Sequence, residues 1–226
     1  MSLPVTAIAE PATVRLISTA YYKPPVLKAL VDDDQELQLL EEIEGLTNRR
    51  LIAERSGVGS LDARETVFRA WGRTYINAAF AYTRPEGNRF NSGDRGAWYA
   101  AFDEATALAE VGFHRTRELA NINRFEDEAV YQALLAGFIG DFHDLRKVTP
   151  KPACLGPDTA ISYPEGQSLA RALRAENARG LIYPSARRKR GICLVAFEPH
   201  VVQNVRPAAR WKLVWNGSPA YTITTV

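Results

Sequence analysis

Apolar and polar positions along the chain change period several times, and each change predicts an element. Residues 14–18 form a short β-branched run that reads as a strand, with a turn at Lys23-Pro24-Pro25 behind it. From 26 to 54, Leu27, Leu30, Leu37, Leu39, Leu40, Ile43 and Leu46 recur at mixed three- and four-residue steps, which predicts helix with a break near Asp32 to Asp34. Residues 75–83 are aromatic and apolar and read as a strand, closed by the turn Pro85-Glu86-Gly87-Asn88. Residues 97–102 give a second strand. Asp103 is then placed as the N-cap of a helix reaching about Leu119, because its carboxylate accepts from unpaired N–H groups of the first turn.

Beyond the polar stretch 121–127, residues 130–139 are apolar without a clear period, so strand and helix both stay open. A Pro- and Gly-rich connection spans 150–166, and the alternation over 165–178 predicts an exposed helix with Gly180 as its stop. Further strands are expected at 181–183, 192–197 and 211–215, with 221–224 as an edge strand. Strands and helices come in blocks and not in strict alternation, which predicts an α+β fold. At 226 residues the chain is long enough for one sizeable core. The expected organisation is a single domain, 1–226, with a strand and helical lobe at 1–72 packed on a core at 73–226.

Charge adds little: 28 Lys+Arg against 26 Asp+Glu gives no overall attraction to nucleic acid or an anionic membrane. The run Arg187-Arg188-Lys189-Arg190 reads first as a solvated loop, so direct nucleic-acid binding is not expected. Cys154 and Cys193 stand apart from each other and from any His at ligand spacing, so neither a metal nor a disulfide framework is expected. With no signal-like or membrane-spanning segment, the expected setting is cytoplasmic. The sequence contains neither a Gly-x-Gly-x-x-Gly loop nor a Gly-rich Lys-Ser/Thr loop, which removes the main support for dehydrogenase and P-loop readings.

Chemistry-bearing residues concentrate in Gly87-Asn88-Arg89-Phe90-Asn91, Gly96-Ala97-Trp98-Tyr99-Ala100-Ala101 and Thr106-Ala107-Leu108-Ala109-Glu110-Val111. A later segment reads Gly180-Leu181-Ile182-Tyr183-Pro184-Ser185-Ala186-Arg187. The spacing from Arg89 to Tyr99, from Tyr99 to Glu110, and the outlying Glu44-Gly45-Leu46-Thr47-Asn48, His114-Arg115, Asp144-Leu145-Arg146 and Trp215-Asn216-Gly217 together resemble the RES domain. This is the toxin half of RES/Xre toxin–antitoxin systems, and the resemblance covers most of the chain. It implies a central, mostly antiparallel split sheet similar to that of ADP-ribosyltransferases. It also implies consumption of NAD as a substrate, with no permanently bound cofactor, and an Xre-type antitoxin that covers the cleft. Functional positions of the family fall on Arg89, Tyr99, Glu110 and Ser185.

Each residue type suits that chemistry. Breaking the nicotinamide–ribose bond builds positive charge on the sugar, which a carboxylate at Glu110 stabilises. A guanidinium at Arg89 offers a permanently charged fork to a pyrophosphate or ribose. Tyr99 presents a flat face to nicotinamide, with Trp98 turned to the opposite sheet face as core. Ser185 suits binding of a phosphate or ribose and lacks the Gly-x-Ser-x-Gly setting of a nucleophile. His114, one turn beyond Glu110, is a supporting candidate. The acceptor stays open between a protein side chain, water and phosphate; protein ADP-ribosylation is the first expectation, with NAD glycohydrolase or phosphorylase activity as the alternative.

Overall fold

The computed structural model describes residues 3–21, 61–68 and 70–226. The helix expected over 26–54 lies outside them. Among the described residues the fold is α+β, with three α-helices and a seven-stranded, mostly antiparallel sheet. The strands are β1 (Val5–Ser18), β2 (Trp98–Ala101), β3 (Glu126–Asp144), β4 (Gly180–Pro184), β5 (Ile192–Ala196), β6 (Gln203–Asn216) and β7 (Tyr221–Thr225). The helices are α1 (Arg73–Ala81), α2 (Glu104–Asn121) and α3 (Thr159–Ala175).

β3 organises the sheet. One of its edges carries β1, from Val5↔His143 to Ser18↔Tyr131, and the other carries β6, from Glu126↔Asn216 to Gly137↔Gln203. Its far end runs parallel to β4 at His143↔Leu181, while β4–β5 and β5–β2 are antiparallel. Because β1 also meets β2 at Val14↔Ala101, the pairings run in a ring through β1, β2, β5, β4 and β3, with β6 and β7 continuing outward. The N-terminal strand is thus an integral member of the sheet.

Both faces of the middle strands are covered, and period-two alternation sorts their side chains between two cores. Trp98, Ile182 and Leu194 join Phe80, Phe138 and Phe142 on one side. Leu181, Tyr183, Cys193 and Val195 join Phe90, Leu155 and Phe197 on the other. Double coverage also explains why 130–139 shows no period: Ala133, Leu134, Ala136 and Phe138 are all fully buried, so polar positions do not alternate there.

Two expectations need correction. Residues 75–83 are not a strand; α1 occupies Arg73–Ala81, burying Ile76, Ala79 and Phe80 at helical spacing. Its aromatic content mimics a strand, but Ala78, Ala79 and Ala81 favour helix, and the buried Asn77 amide anchors it by bonding both Val67 N (3.0 Å) and Val67 O (3.1 Å). The last helix begins earlier than expected, at Thr159, where Asp158 accepts from Ala160 N at 2.9 Å. Its stop is Asn177 and not Gly180: Asn177 adopts φ 58°, and Ala178 N returns to Leu173 O. Gly180 instead opens β4.

Candidate active site

Four parts of the fold carry the predicted side chains: the turn before β2, β2 itself, α2 and the loop after β4. Arg89 sits in a tight turn in which Gly87 takes φ 71° and Asn88 N bonds Asn91 O at 2.8 Å. α3 presses against this turn so closely that a Cβ at Gly166 would lie 2.1 Å from the Arg89 carbonyl oxygen, so only glycine fits. Arg89 is 8% exposed. Its Nη1 donates to the carbonyls of Cys154 and Gly156, the latter at 3.0 Å, and its guanidinium lies 5.5 Å from the Tyr163 ring centre. None of these partners is a carboxylate, so the charge is held without being neutralised.

Tyr99 lies on β2, on the opposite face from the fully buried Trp98. Its hydroxyl accepts from Phe90 N at 2.9 Å and donates to Asn91 Oδ1 at 2.9 Å. Asn91 in turn shares its amide N–H groups among Thr83 Oγ1 and the carbonyls of Ser92 and Arg95, each at 2.9 Å. Burial pushes the Tyr99 phenol well above its ordinary range, so it stays protonated. Beneath it, Arg15 donates to Tyr99 O at 3.1 Å and stacks on Trp98, 4.8 Å from the ring centre; burial draws its pKa down to about 10, which still leaves it charged at neutral pH.

Glu110 projects from α2, whose start is fixed by Asp103 accepting from Thr106 N at 2.8 Å. Glu110 Oε1 accepts from Ser185 Oγ at 2.6 Å and faces the Cys193 thiol at 3.8 Å. Ser185 Oγ itself accepts from Arg187 N (3.0 Å) and Arg188 N (3.1 Å), while the Arg188 side chain bonds Asp103 at 3.1 Å. Two backbone N–H groups therefore polarise the hydroxyl that grips the carboxylate. Burial, and then the neighbouring Glu110 charge, raise the Cys193 thiol well above its ordinary value, so it is a poor nucleophile.

Arg89, Tyr99, Glu110 and His114 all line one cavity of about 820 Å³. Ser185 is not among its lining residues; it stands behind Glu110 and reaches the cavity through that carboxylate. His114 is pushed down to about 4 by burial and then by Arg117, Arg84 and Arg187, so it is neutral at physiological pH. Among the described residues no group of three or more His, Cys, Asp or Glu side chains is arranged to hold a metal ion, and no helix is long and apolar enough to cross a membrane. Trp211 and Trp215 direct their indole N–H groups to Glu104 (2.8 Å) and Thr116 (2.9 Å), tying β6 to α2.

Sequence reasoning missed four contributors: Arg15, Asn91, Tyr163 and Arg187. Tyr163 lies where the Pro- and Gly-rich composition suggests a loop. Arg187 belongs to a basic run that reads as solvated, yet its guanidinium lies 3.3 Å from the Phe113 ring centre.

A RES domain family model matches residues 66–216, a span that contains all five predicted site residues. An uncharacterized protein, y4oC, of Sinorhizobium fredii is 30% identical over 210 residues, which is 90% of this chain and 83% of that protein.

Proposed function

This chain belongs to the RES-domain family, and on that premise we propose that it binds NAD and breaks the bond between nicotinamide and ribose. The observation that carries this reading is the convergence of Arg89, Tyr99 and Glu110 on one cavity. A fixed cation, an aromatic surface and a carboxylate are what a dinucleotide needs if its sugar is to become a cation in place. A likeness to ADP-ribosyltransferases in fold and reaction is part of the proposal.

In the proposed reaction the C1′–N bond of the nicotinamide ribose breaks and its electron pair passes to the pyridinium ring, which leaves as neutral nicotinamide. Positive charge gathers on C1′ and the ring oxygen. Glu110 stabilises it, its Oε1 held in place by Ser185. Arg89 holds the dinucleotide, and the ring of Tyr99 packs on the nicotinamide end while its hydroxyl stays within the turn network. Ser185, which the family resemblance makes a nucleotide-binding residue, acts here as a positioning residue for Glu110. The neutral His114 packs along the same helix face.

A nucleophile then attacks C1′ and gives up a proton. The preferred acceptor is a side chain of a target protein, making the reaction a mono-ADP-ribosylation; water or phosphate at the same carbon would make it a glycohydrolase or phosphorylase. In the cell the activity is that of a toxin, restrained by an Xre-type antitoxin seated over the cleft. Incubating the purified protein with NAD, with and without cell extract, and following nicotinamide and labelled ADP-ribose tests the reading. Nicotinamide release with labelled protein supports transfer, and release alone supports hydrolysis or phosphorolysis. Absence of release in all conditions overturns the reading, as does full activity in Arg89→Ala.

A further inference from the structure

Resting on that reading, we propose that Arg187 is the residue that makes the cleft select a diphosphate-bearing ligand, acting opposite Arg89 as the second arm of an anion clamp. Its basis is a ladder of alternating cations and rings. Arg187 lies 3.3 Å from the centre of the Phe113 ring. Arg117 lies 6.0 Å from the same ring and 5.9 Å from that of Tyr163. Arg89 completes the series at 5.5 Å from Tyr163. Phe113 and Arg117 come from α2, Tyr163 from α3, Arg89 from the turn and Arg187 from the loop after β4, so four parts of the fold meet to bring three guanidinium groups together.

Like charges so placed repel, and none of the three forms an ion pair with a carboxylate among the described residues. Arg89 bonds two backbone carbonyls, Arg117 the Thr159 hydroxyl at 3.3 Å, and Arg187 the Pro157 carbonyl at 3.1 Å. Glu110, whose charge also acts on Arg187, is gripped by Ser185. The aromatic rings supply quadrupole attraction that keeps the cations in place but do not cancel their charge. Arg187 is also the member with an unmet demand: its Nε is buried and has no hydrogen-bond partner among the described residues. Burial and the nearby Arg89 and Arg117 charges draw its pKa down, as befits a cation short of an anion.

Arg89 and Arg187 both line the cavity, whereas Arg117 is not among its lining residues and acts on Arg187 through its charge. Two guanidinium groups lining one space match two linked phosphates, each able to donate a charge-assisted hydrogen bond to a phosphate oxygen. The site therefore discriminates by phosphate content: ADP-ribose and NAD should bind, and adenosine or nicotinamide riboside should not compete with them.

The test is calorimetric binding of ADP-ribose and of inorganic pyrophosphate to the full chain and its Arg187→Gln and Arg187→Lys variants, with thermal unfolding as a check on folding. Removing one charge-assisted hydrogen bond predicts roughly tenfold weaker binding of both ligands to Arg187→Gln, a smaller effect in Arg187→Lys, and reduced sensitivity to salt. In turnover of NAD the effect should fall on KM more than on kcat. Wild-type affinity for both ligands in a folded Arg187→Gln overturns the clamp, as does failure of the wild type to bind either. Pyrophosphate binding that depends on Arg187 in a protein that never releases nicotinamide upholds the clamp and removes the NAD-cleavage reading instead.

Discussion

The floor and the wall of the cleft are built on opposite principles. At the floor, the Tyr99 hydroxyl, the Phe90 N–H and the Asn91 side chain satisfy one another, and Asn91 is 2% exposed. At the wall, among the described residues, Arg187 keeps a buried N–H without a partner, and three guanidinium groups stand together without a carboxylate paired to them. A saturated network fixes geometry and gives a ligand little to bond. An unsaturated one costs stability in the free protein and recovers it on binding. Substitutions at the floor should therefore act on folding, and those at the wall on ligand and turnover.

The sharpest separation is expected at Glu110. Glu110→Gln keeps the size and can still accept from Ser185, but it removes the charge that the proposed reaction sets against the sugar cation. Nicotinamide release should fall by about 10²- to 10³-fold, with the unfolding temperature nearly unchanged. A large loss of stability in this variant would move Glu110 to the structural side of the comparison.

Asn91→Ala should behave in the opposite manner. It removes the acceptor of the Tyr99 hydroxyl and the donors to Thr83, Ser92 and Arg95, all in a buried setting. A loss of about 3 kcal/mol in denaturant unfolding is expected. If stability holds and only activity drops, the floor is not a folding scaffold.

His114 lines the same cavity outside both groups and has a pH signature in stability. Its folded pKa of about 4 lies below the ordinary 6.5, so the unfolded chain binds the extra proton first. Stability from this site is complete above pH 6.5 and is lost as pH falls towards 4, by about 2 kcal/mol after allowing for residual solvent contact. Comparing unfolding of the wild type and His114→Gln across this window should show a shallower slope in the variant; identical slopes would place the acid sensitivity elsewhere.

Ser185→Ala should have the smallest effect, because Glu110 stays in place on α2 and loses one of its donors. About a tenfold drop in turnover is expected, and Ser185→Thr, which keeps the hydroxyl, should recover part of it. Wild-type turnover in Ser185→Ala would show that the carboxylate needs no orienting group.

Several features are legible in the chain because they depend on neighbours in sequence. Asp103 caps α2 through a group three residues away, and Trp98 and Tyr99 face opposite ways because they are adjacent on a strand. The order and spacing of Arg89, Tyr99 and Glu110 likewise point to one family. Residues 75–83 mislead for the complementary reason: aromatic content suggests a strand, but the outcome depends on which side chains find a core, Ile76, Ala79 and Phe80 on one helical face.

The order of amino acids alone was enough for the α+β class, most of the strands and the family, since local periodicity and short-range spacing carry those. Folding in three dimensions was needed to set Ser185 against Glu110 across 75 positions of sequence, to stand Tyr163 beside Arg89, and to turn one arginine of a basic run inward onto Phe113. Hydrogen bonds and cation–ring contacts depend on distances of a few ångströms between segments that β3 and its partners bring together. No pattern along a single strand or helix records which distant segment will be on the other side.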